Sequence, residues 1–270
     1  MTKTEFVLIG PRKKLNSLSV LPDLETNGTQ LNRVGFTESL GVLIDENLTW
    51  SNHINAISKK ISSGIGSMKR ISHCVPPATL HNIYHGLVQS HFDYYSVVWG
   101  NCAKTLSDKL QRLQNRAVRV LNHSSYDADT NQLFKELGWD NLETQRQKLK
   151  AEMVYKSLNG LAPNYLSSKF IQRSDVNTSY NLHDSDNKLA IPLPRSNHYK
   201  NSFAIVVQFL WSSLPSAVRQ ATSLTSFRRF LINSDTAFMY FSLIVSNILN
   251  YRRLICIHSF VLRCSVTLNC

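Results

Sequence analysis

The sequence lacks the short motifs of the common catalytic folds. It contains no GxGxxG, P-loop, GxSxG or HExxH pattern, so dinucleotide, nucleoside-triphosphate, α/β-hydrolase and zinc-protease chemistry have no signature here. It also contains no Asp-Asp dipeptide, although two-metal chemistry needs paired carboxylates that hold two ions about 4 Å apart. The closely spaced aspartates at 127–129 and 184–186 lie in polar segments, where helix caps and solvated loops are the expected roles. The sequence therefore predicts no catalytic residue.

Cysteine is scarce, and long apolar runs are absent. The five cysteines are odd in number, irregularly spaced and without a CxxC pair, so a disulfide framework is not expected. Cys256, His258, Cys264 and Cys270 match no common tetrahedral zinc spacing, and we predict no metal site. The most apolar stretch, 237–249, is shorter than the ~20 residues of a membrane helix. These features favour an intracellular protein of the nucleus or cytoplasm and make membrane association the less favoured alternative.

Acidic residues are few relative to basic ones. Thirty Lys and Arg residues against eighteen Asp and Glu give a formal net charge of +12 over 270 residues. A positive field of this sign attracts polyanions, and nucleic acid is the usual partner, with an anionic membrane surface as the rival. A generically basic protein remains the third interpretation. The 43% hydrophobic content is typical of a globular chain with a buried core.

Short strands and long helices divide the chain unequally. The apolar runs 4–9 and 40–45 predict strands, and Asp45-Glu46-Asn47 supplies turn chemistry after the second. Beyond residue 50, apolar residues recur every three or four positions, which predicts helices and an α+β, mostly α fold. The clearest of these helical segments begin at Ser51 or Asn52 and at residues 78, 104, 131, 141, 203 and 223.

Two of the predicted helices carry cations beside an apolar stripe. In the first, Ile54, Ile57, Ile61, Ile65 and Met68 form the stripe. Residues 104–122 form the second, whose basic stripe lies roughly 110° from its apolar face, with Asp108 as a nearby acid. Cations at this spacing can follow a phosphate backbone, whereas the alternative is a solvated flank. The predicted nucleic-acid-binding residues are Lys59, Lys60, Lys69, Arg70, Lys109, Arg112, Arg116 and Arg119.

Five segments, taken in order, carry a family resemblance. They are KTEFVLIG, SLGVLIDENLTWSNHI, ISKKISSGIGSMKRI, LQRLQNRAVRVL and LWSSLPSAVRQATSLTSFRRFL. Together they resemble the C-terminal part of reverse transcriptases from non-LTR, LINE-type retrotransposons, the jockey-like group in particular. The resemblance extends from about residue 3 to residue 231. It implies RNA or an RNA/DNA duplex as the partner and RNA-directed DNA polymerase as the activity of the full-length enzyme.

The resemblance also implies roles for particular residues. Lys3 corresponds to a lysine near the incoming nucleotide, at the last strand region of the palm. Leu40, Gly41 and Val42 correspond to the primer-grip hairpin, although Ser39 stands where the family often has an aromatic residue. The helices that follow correspond to the thumb, which holds the template–primer duplex. The family's catalytic aspartates have no counterpart, so this chain alone is expected to be inactive as a polymerase and to hold no cofactor, whereas the full-length enzyme needs Mg²⁺.

The expected organisation follows from this correspondence. We expect a palm remnant with primer-grip strands over 1–50, a thumb-like helical region over 51–125 and a further helical region over 126–171. A polar linker over 172–202, a short helical segment over 203–231 and a divergent apolar tail over 232–270 complete the chain. The function expected is a truncated fragment that binds a nucleic-acid backbone at most. A non-enzymatic interaction or membrane-associated protein and a functionless relic remain alternatives, and the oligomeric state stays open.

Overall fold

Short strands and long helices make up the computed structural model, which describes residues 4–18, 24–26, 28–176, 188–193, 199 and 202–233. The predicted α+β, mostly α fold class is confirmed. The chain divides into two units, one of residues 1–146 and 196–203, the other of residues 147–195 and 204–270. The expected linker lies largely outside the described residues, as does the tail beyond residue 233.

The strands of the first unit are short and pair two by two. β1 (Glu5–Phe6) runs parallel to β4 (Asn32–Arg33), and the one-turn helix α1 (Arg12–Asn16) follows β1. β2 (Glu25–Thr26) pairs antiparallel with β3 (Thr29–Gln30), and β5 (Phe36–Ser39) pairs antiparallel with β6 (Val42–Asp45). Two-stranded ribbons of this length have little stability of their own, so the helical core must supply it.

The hairpin of β5 and β6 differs from the strand predicted over 40–45. Leu40 and Gly41 are its two turn residues, with φ of +50° and +78°, and the strand begins at Val42. Positive φ at both turn positions is what a type I′ hairpin requires, because it matches the right-handed twist of the strands. The sequence did not indicate a turn here, since leucine rarely adopts positive φ.

Asp45 joins the hairpin to the first long helix, α2 (Ser51–Ile71). Its carboxylate accepts hydrogen bonds from the backbone N–H groups of Asn47, Thr49 and Trp50 at 3.1, 2.8 and 2.8 Å. The helix begins at Ser51, one of the two predicted starts, but the expectation that Ser51 or Asn52 also caps it is wrong. Trp50 occupies the cap position with φ of +64° and makes no side-chain cap bond, because an indole has no acceptor for a backbone N–H.

The helices of the first unit follow in order. They are α2, α3 (Pro77–Tyr84), a π-helical turn (His85–Gln89), α4 (Ser90–Asp93), α5 (Ser96–Trp99), α6 (Lys104–Leu121) and α7 (Thr130–Leu137). α8 (Leu142–Leu158) begins in the first unit. The carboxylate of Asp129 caps α7 by accepting from Asn131 N at 2.9 Å, and Gly138 ends it at φ +64°, as is common for a glycine after the last helical residue.

The core of the first unit forms where the apolar stripes of these helices meet. Ile54, Ile57, Ile61, Ile65 and Met68 of α2 are all buried there, which confirms the predicted stripe. Leu110, Ala117 and Leu121 supply the α6 side, and Tyr84, Phe92 and Trp99 fill the space between. Burial of such side chains stabilises the unit by about 1.5–3 kcal/mol each before conformational entropy is subtracted.

The π-helical turn changes which residue of this segment is buried. The spacing of Leu80, Ile83, Tyr84 and Leu87 predicts that all four face inward. Leu87 is instead 46% exposed, and Val88 is buried in its place. A π-helical turn contains one residue more than an α-helical turn, so the inward position moves one residue along the chain. The same segment lies against α2, where Val88 and the Leu87 carbonyl pack close to Gly64.

The second unit is helical and built around stacked aromatic rings. Its described elements are the remainder of α8, α9 (Asn164–Ser167), a 3₁₀ turn (Arg173–Asp175), α10 (Phe203–Ser213), α11 (Ser216–Arg219) and α12 (Leu224–Asn233). Phe227 stacks on Tyr155 and Trp211, with ring centroids 4.5 and 5.8 Å apart. The sequence predicts Ser223 or Thr225 as the cap of α12, and Ser223 caps it by accepting from Ser226 N at 3.2 Å.

Candidate nucleic-acid interface

Helices α2 and α6 run side by side in the same direction. Near their starts, Lys109 Nζ of α6 donates to Asn55 Oδ1 of α2 at 2.7 Å. Just beyond their ends, the rings of His73 and His123 lie 5.2 Å apart. Because the two starts meet and the two ends meet, the helices are parallel and share one flank of roughly 20 Å, at about 1.5 Å rise per residue.

Helical periodicity decides which predicted cations share this flank. At 100° per residue, Lys59, Lys69 and Arg70 lie within about 60° of Asn55 around α2. Around α6, Arg112 and Arg116 lie within a similar angle of Lys109 and on the side of His123. We call these six residues the basic flank: Lys59, Lys69, Arg70, Lys109, Arg112 and Arg116.

Little negative charge opposes the basic flank. Helix α2 contains no Asp or Glu, and Asp108, the acid of α6, forms its ion pair with Lys104 at 3.6 Å. Lys59, Arg112 and Arg116 are exposed and, among the described residues, make no ion pair. Within the described ranges, Arg70 donates to the neutral hydroxyl of Ser67, at 3.2 Å, and to no acid. The charges of the flank therefore remain available to an anionic partner.

Arg119, the last cation of the predicted α6 stripe, lies apart from the flank. Its Nε and Nη2 donate to the carbonyl of Ala128 at 3.3 and 3.1 Å. Its guanidinium also lies over the Tyr126 ring, 5.6 Å from the centroid. Arg119 thus ties the end of α6 to the loop before α7, a contact that heptad-like spacing does not reveal.

Lys60 lies about 100° around α2 from Lys59 and near His53, which contacts the β5–β6 hairpin. Burial lowers the pKa of His53 and of His91, and the nearby Lys60 charge lowers both further. His53 Nδ1 accepts from the backbone N–H of Leu43 in β6 at 3.4 Å. The two adjacent lysines of the sequence therefore serve different surfaces.

The remaining predicted site residues are in the hairpin or beyond the described chain. Leu40 and Gly41 form the turn, and the side chain of Val42 is buried at 4% exposure. Only Leu40 of the three presents its side chain outward, at 74% exposure. Lys3 lies outside the described residues.

The histidines and acids of the described residues do not form a metal centre: no three His, Cys, Asp or Glu side chains come together there. His81 and His85, which are four residues apart, both pack against Trp139, at 5.7 and 5.8 Å between ring centroids. In the same part of the chain, no helix combines the length and the apolar character needed to cross a membrane.

Sequence reasoning missed three residues whose contacts show that α2 and α6 run in parallel: Asn55, His73 and His123. The first was inconspicuous because a single asparagine on a helix has no functional pattern of its own. Its angular position, about 40° from Lys59, was the available signal. The two histidines lie 50 residues apart, so their pairing follows from helix packing and not from sequence spacing.

Comparison with known proteins points to the reverse transcriptases of transposons. The chain is 26% identical over 141 residues to the probable RNA-directed DNA polymerase from transposon BS of Drosophila melanogaster. The match covers 51% of this chain and 16% of that protein, so the chain corresponds to a minor part of the relative. No family model matches the chain, and no solved structure matches it. About half of the chain is therefore a reverse-transcriptase-like region.

Proposed function

We propose that the chain is the C-terminal, palm-to-thumb part of a non-LTR retrotransposon reverse transcriptase, and that its basic flank binds the backbone of RNA or of an RNA/DNA duplex. The observation that carries this proposal is the parallel arrangement of α2 and α6, joined by the Lys109–Asn55 hydrogen bond. It aligns cations from two helices along one surface. Proteins with such surfaces bind phosphates through electrostatic contacts and counterion release.

Backbone recognition fits the chemistry of the flank better than base recognition. Lys and Arg contacts to phosphate position a protein on a duplex without reading its sequence. On α2, serines and Gly66 lie between the cations of the flank. Because these residues are small, no large side chain projects between the cations. A duplex can approach such a surface closely. The similarity to a transposon RNA-directed DNA polymerase supports a template–primer duplex as the partner.

The proposal assigns no polymerisation to this chain alone. The sequence has no Asp-Asp pair to hold two divalent ions, and two-metal phosphoryl transfer depends on such carboxylates. We expect no primer extension by the purified chain with Mg²⁺, template, primer and deoxynucleotides. Extension that persists through successive purification steps would refute this part of the proposal.

The binding claim is tested by removing the same number of charges from two different surfaces and comparing the affinities. Lys109→Gln/Arg112→Gln/Arg116→Gln removes three charges from the flank. The matched control, Arg12→Gln/Lys13→Gln/Lys14→Gln, removes three exposed charges from α1. Fluorescence anisotropy with a labelled RNA/DNA duplex should show a loss of at least roughly tenfold for the flank variant, given the salt-dependent contribution of each phosphate contact, and a much smaller loss for the control. Equal losses would mean that net charge, and not the flank, sets the affinity.

A further inference from the structure

Two bulky residues near the hairpin turn adopt left-handed backbone conformations. Leu40 has φ of +50°, and Tyr95, between α4 and α5, has φ of +52°. For a residue with a Cβ this conformation costs on the order of 1–2 kcal/mol, so the surrounding structure must impose it. Both side chains project outward, at 74% and 44% exposure, which means that burial of these side chains does not offset the strain.

Tyr94 holds the two strained residues together. Its hydroxyl donates to the carbonyl oxygen of Leu40 at 2.8 Å, and its ring edge lies 3.7 Å from where a Cβ on Gly41 would be. Its own carbonyl accepts from Trp99 Nε1 at 2.8 Å, and the Trp99 side chain is fully buried. The core thus fixes Tyr94, and Tyr94 fixes the turn.

The two tyrosine rings form an exposed aromatic surface. Their centroids lie 4.8 Å apart at 64°, an edge-to-face arrangement that aromatic pairs favour. Tyr94 is 50% exposed, even though its hydroxyl is bonded to Leu40. We call Tyr94 and Tyr95 the tyrosine platform. An edge-to-face pair leaves one ring face open to a planar partner.

The charge around the platform favours an anionic partner. Lys60 of α2 is close enough to His91 of α4 to help lower its pKa, and α4 ends directly before Tyr94. The acid next to the platform, Asp93, accepts from Gln89 Nε2 at 2.8 Å, and burial raises its pKa. Proteins that bind single-stranded nucleic acid combine exposed aromatic rings, on which bases stack, with cations that pair with the phosphates.

We propose that the tyrosine platform stacks an unpaired base of a nucleic-acid strand, with Tyr95 as the main stacking residue. The inference rests on the proposed function and refines it, because it names a duplex with an unpaired end, and not an uninterrupted duplex, as the preferred substrate. Tyr94 acts as the positioning residue, since its hydroxyl is committed to Leu40. Aromatic stacking is tolerant of base identity, so no sequence preference is expected.

Two probes test the platform: a blunt RNA/DNA duplex, and the same duplex with a short unpaired 3′ overhang that carries 2-aminopurine. Tyr95→Ala should weaken binding of the overhang probe by roughly 5- to 150-fold, the range for one stacked base, and leave blunt-duplex binding within about twofold. Tyr95→Phe keeps the ring and should bind the overhang like the wild-type chain. Wild-type protein should quench the 2-aminopurine fluorescence, and Tyr95→Ala should not.

The outcomes separate failure of the platform from failure of the proposed function. If Tyr95→Ala binds both probes as the wild-type chain does, while the flank variant Lys109→Gln/Arg112→Gln/Arg116→Gln loses both, the platform inference is wrong and the proposed function stands. If the wild-type chain binds neither probe, the proposed function fails first. If Tyr95→Ala instead converts a sedimenting dimer into a monomer without changing probe binding, the platform is a protein interface and the inference is overturned.

Discussion

Lys109 Nζ donates to Asn55 Oδ1 at 2.7 Å and thereby joins two helices that the sequence separates by more than fifty residues. The bond is exposed, so its net contribution to stability is small. Its consequence is positional: it places Lys109, the first α6 residue of the basic flank, beside the polar side of α2. The six residues of the basic flank then form one surface and not two separate stripes.

The junction between hairpin and α2 depends on Asp45. Asp45→Ala leaves three backbone N–H groups of residues 47–50 without their acceptor in a mostly buried site, and we expect a loss of about 2–3 kcal/mol in the free energy of unfolding. Glu46→Ala is the control, because Glu46 makes a partly exposed ion pair with Arg33 at 3.1 Å, worth less than about 1 kcal/mol. Urea unfolding measures both, and equal losses would contradict the assigned role of Asp45.

Two glycines of α2 should respond oppositely to the same substitution. A Cβ on Gly64 would lie 3.0 Å from the Leu87 carbonyl oxygen and 3.3 Å from Val88 Cγ2, so Gly64→Ala should destabilise the first unit by about 1–3 kcal/mol. A Cβ on Gly66 meets no atom of the described residues within 4 Å, so Gly66→Ala should stabilise the unit by roughly 0.5–1 kcal/mol through helix propensity. Thermal unfolding distinguishes them. A stabilising Gly64→Ala would show that α2 and the π-helical turn are farther apart than described.

Substitution of Arg116 should mainly weaken duplex binding, whereas substitution of Arg119 should mainly lower stability. Arg119→Gln loses the bonds to the Ala128 carbonyl and the stacking on Tyr126, and we expect about 1–2 kcal/mol of destabilisation with little change in duplex affinity. Arg116→Gln should weaken duplex binding with stability nearly unchanged. Anisotropy and urea unfolding on both variants provide the comparison. A larger affinity loss for Arg119→Gln would place Arg119 back among the binding residues.

Glu152 makes the second unit sensitive to acid. Hydrogen bonds from Arg228 at 2.9 and 2.7 Å, and the Lys156 ion pair at 2.7 Å, hold the pKa of Glu152 below its usual value. A lowered folded-state pKa contributes stability that is present above the unfolded pKa, near 4.3, and is lost as pH falls through the folded value. Glu152→Gln should cost roughly 1 kcal/mol at pH 7, and the difference from wild type should vanish in acid. A pH-independent difference would assign the effect to packing.

The sequence was sufficient to predict those helices whose apolar residues lie on one face. The isoleucine stripe of α2 and the amphipathic pattern of α6 predicted both helices and their buried sides, because apolar residues at helical spacing have one stable arrangement. It was insufficient where contacts are non-local. The inward shift to Val88 depends on a π-helical turn, and the positive φ of Leu40 depends on Tyr94, 54 residues away. Neither the hydrogen bonds of Arg119 to the Ala128 carbonyl nor the packing of α2 against α6 has a local sequence pattern that predicts it.

The salt dependence of duplex binding tests the central claim most directly. If the basic flank contacts phosphates, the plot of log K against log salt concentration should be steep and negative for the wild-type chain. Lys59→Gln/Arg112→Gln/Arg116→Gln should reduce its slope by about 2–3, close to 0.9 per lost phosphate contact. The α1 control, Arg12→Gln/Lys13→Gln/Lys14→Gln, should leave the slope nearly unchanged. A slope that is flat for the wild-type chain, or equal for wild type and the flank variant, would contradict the account.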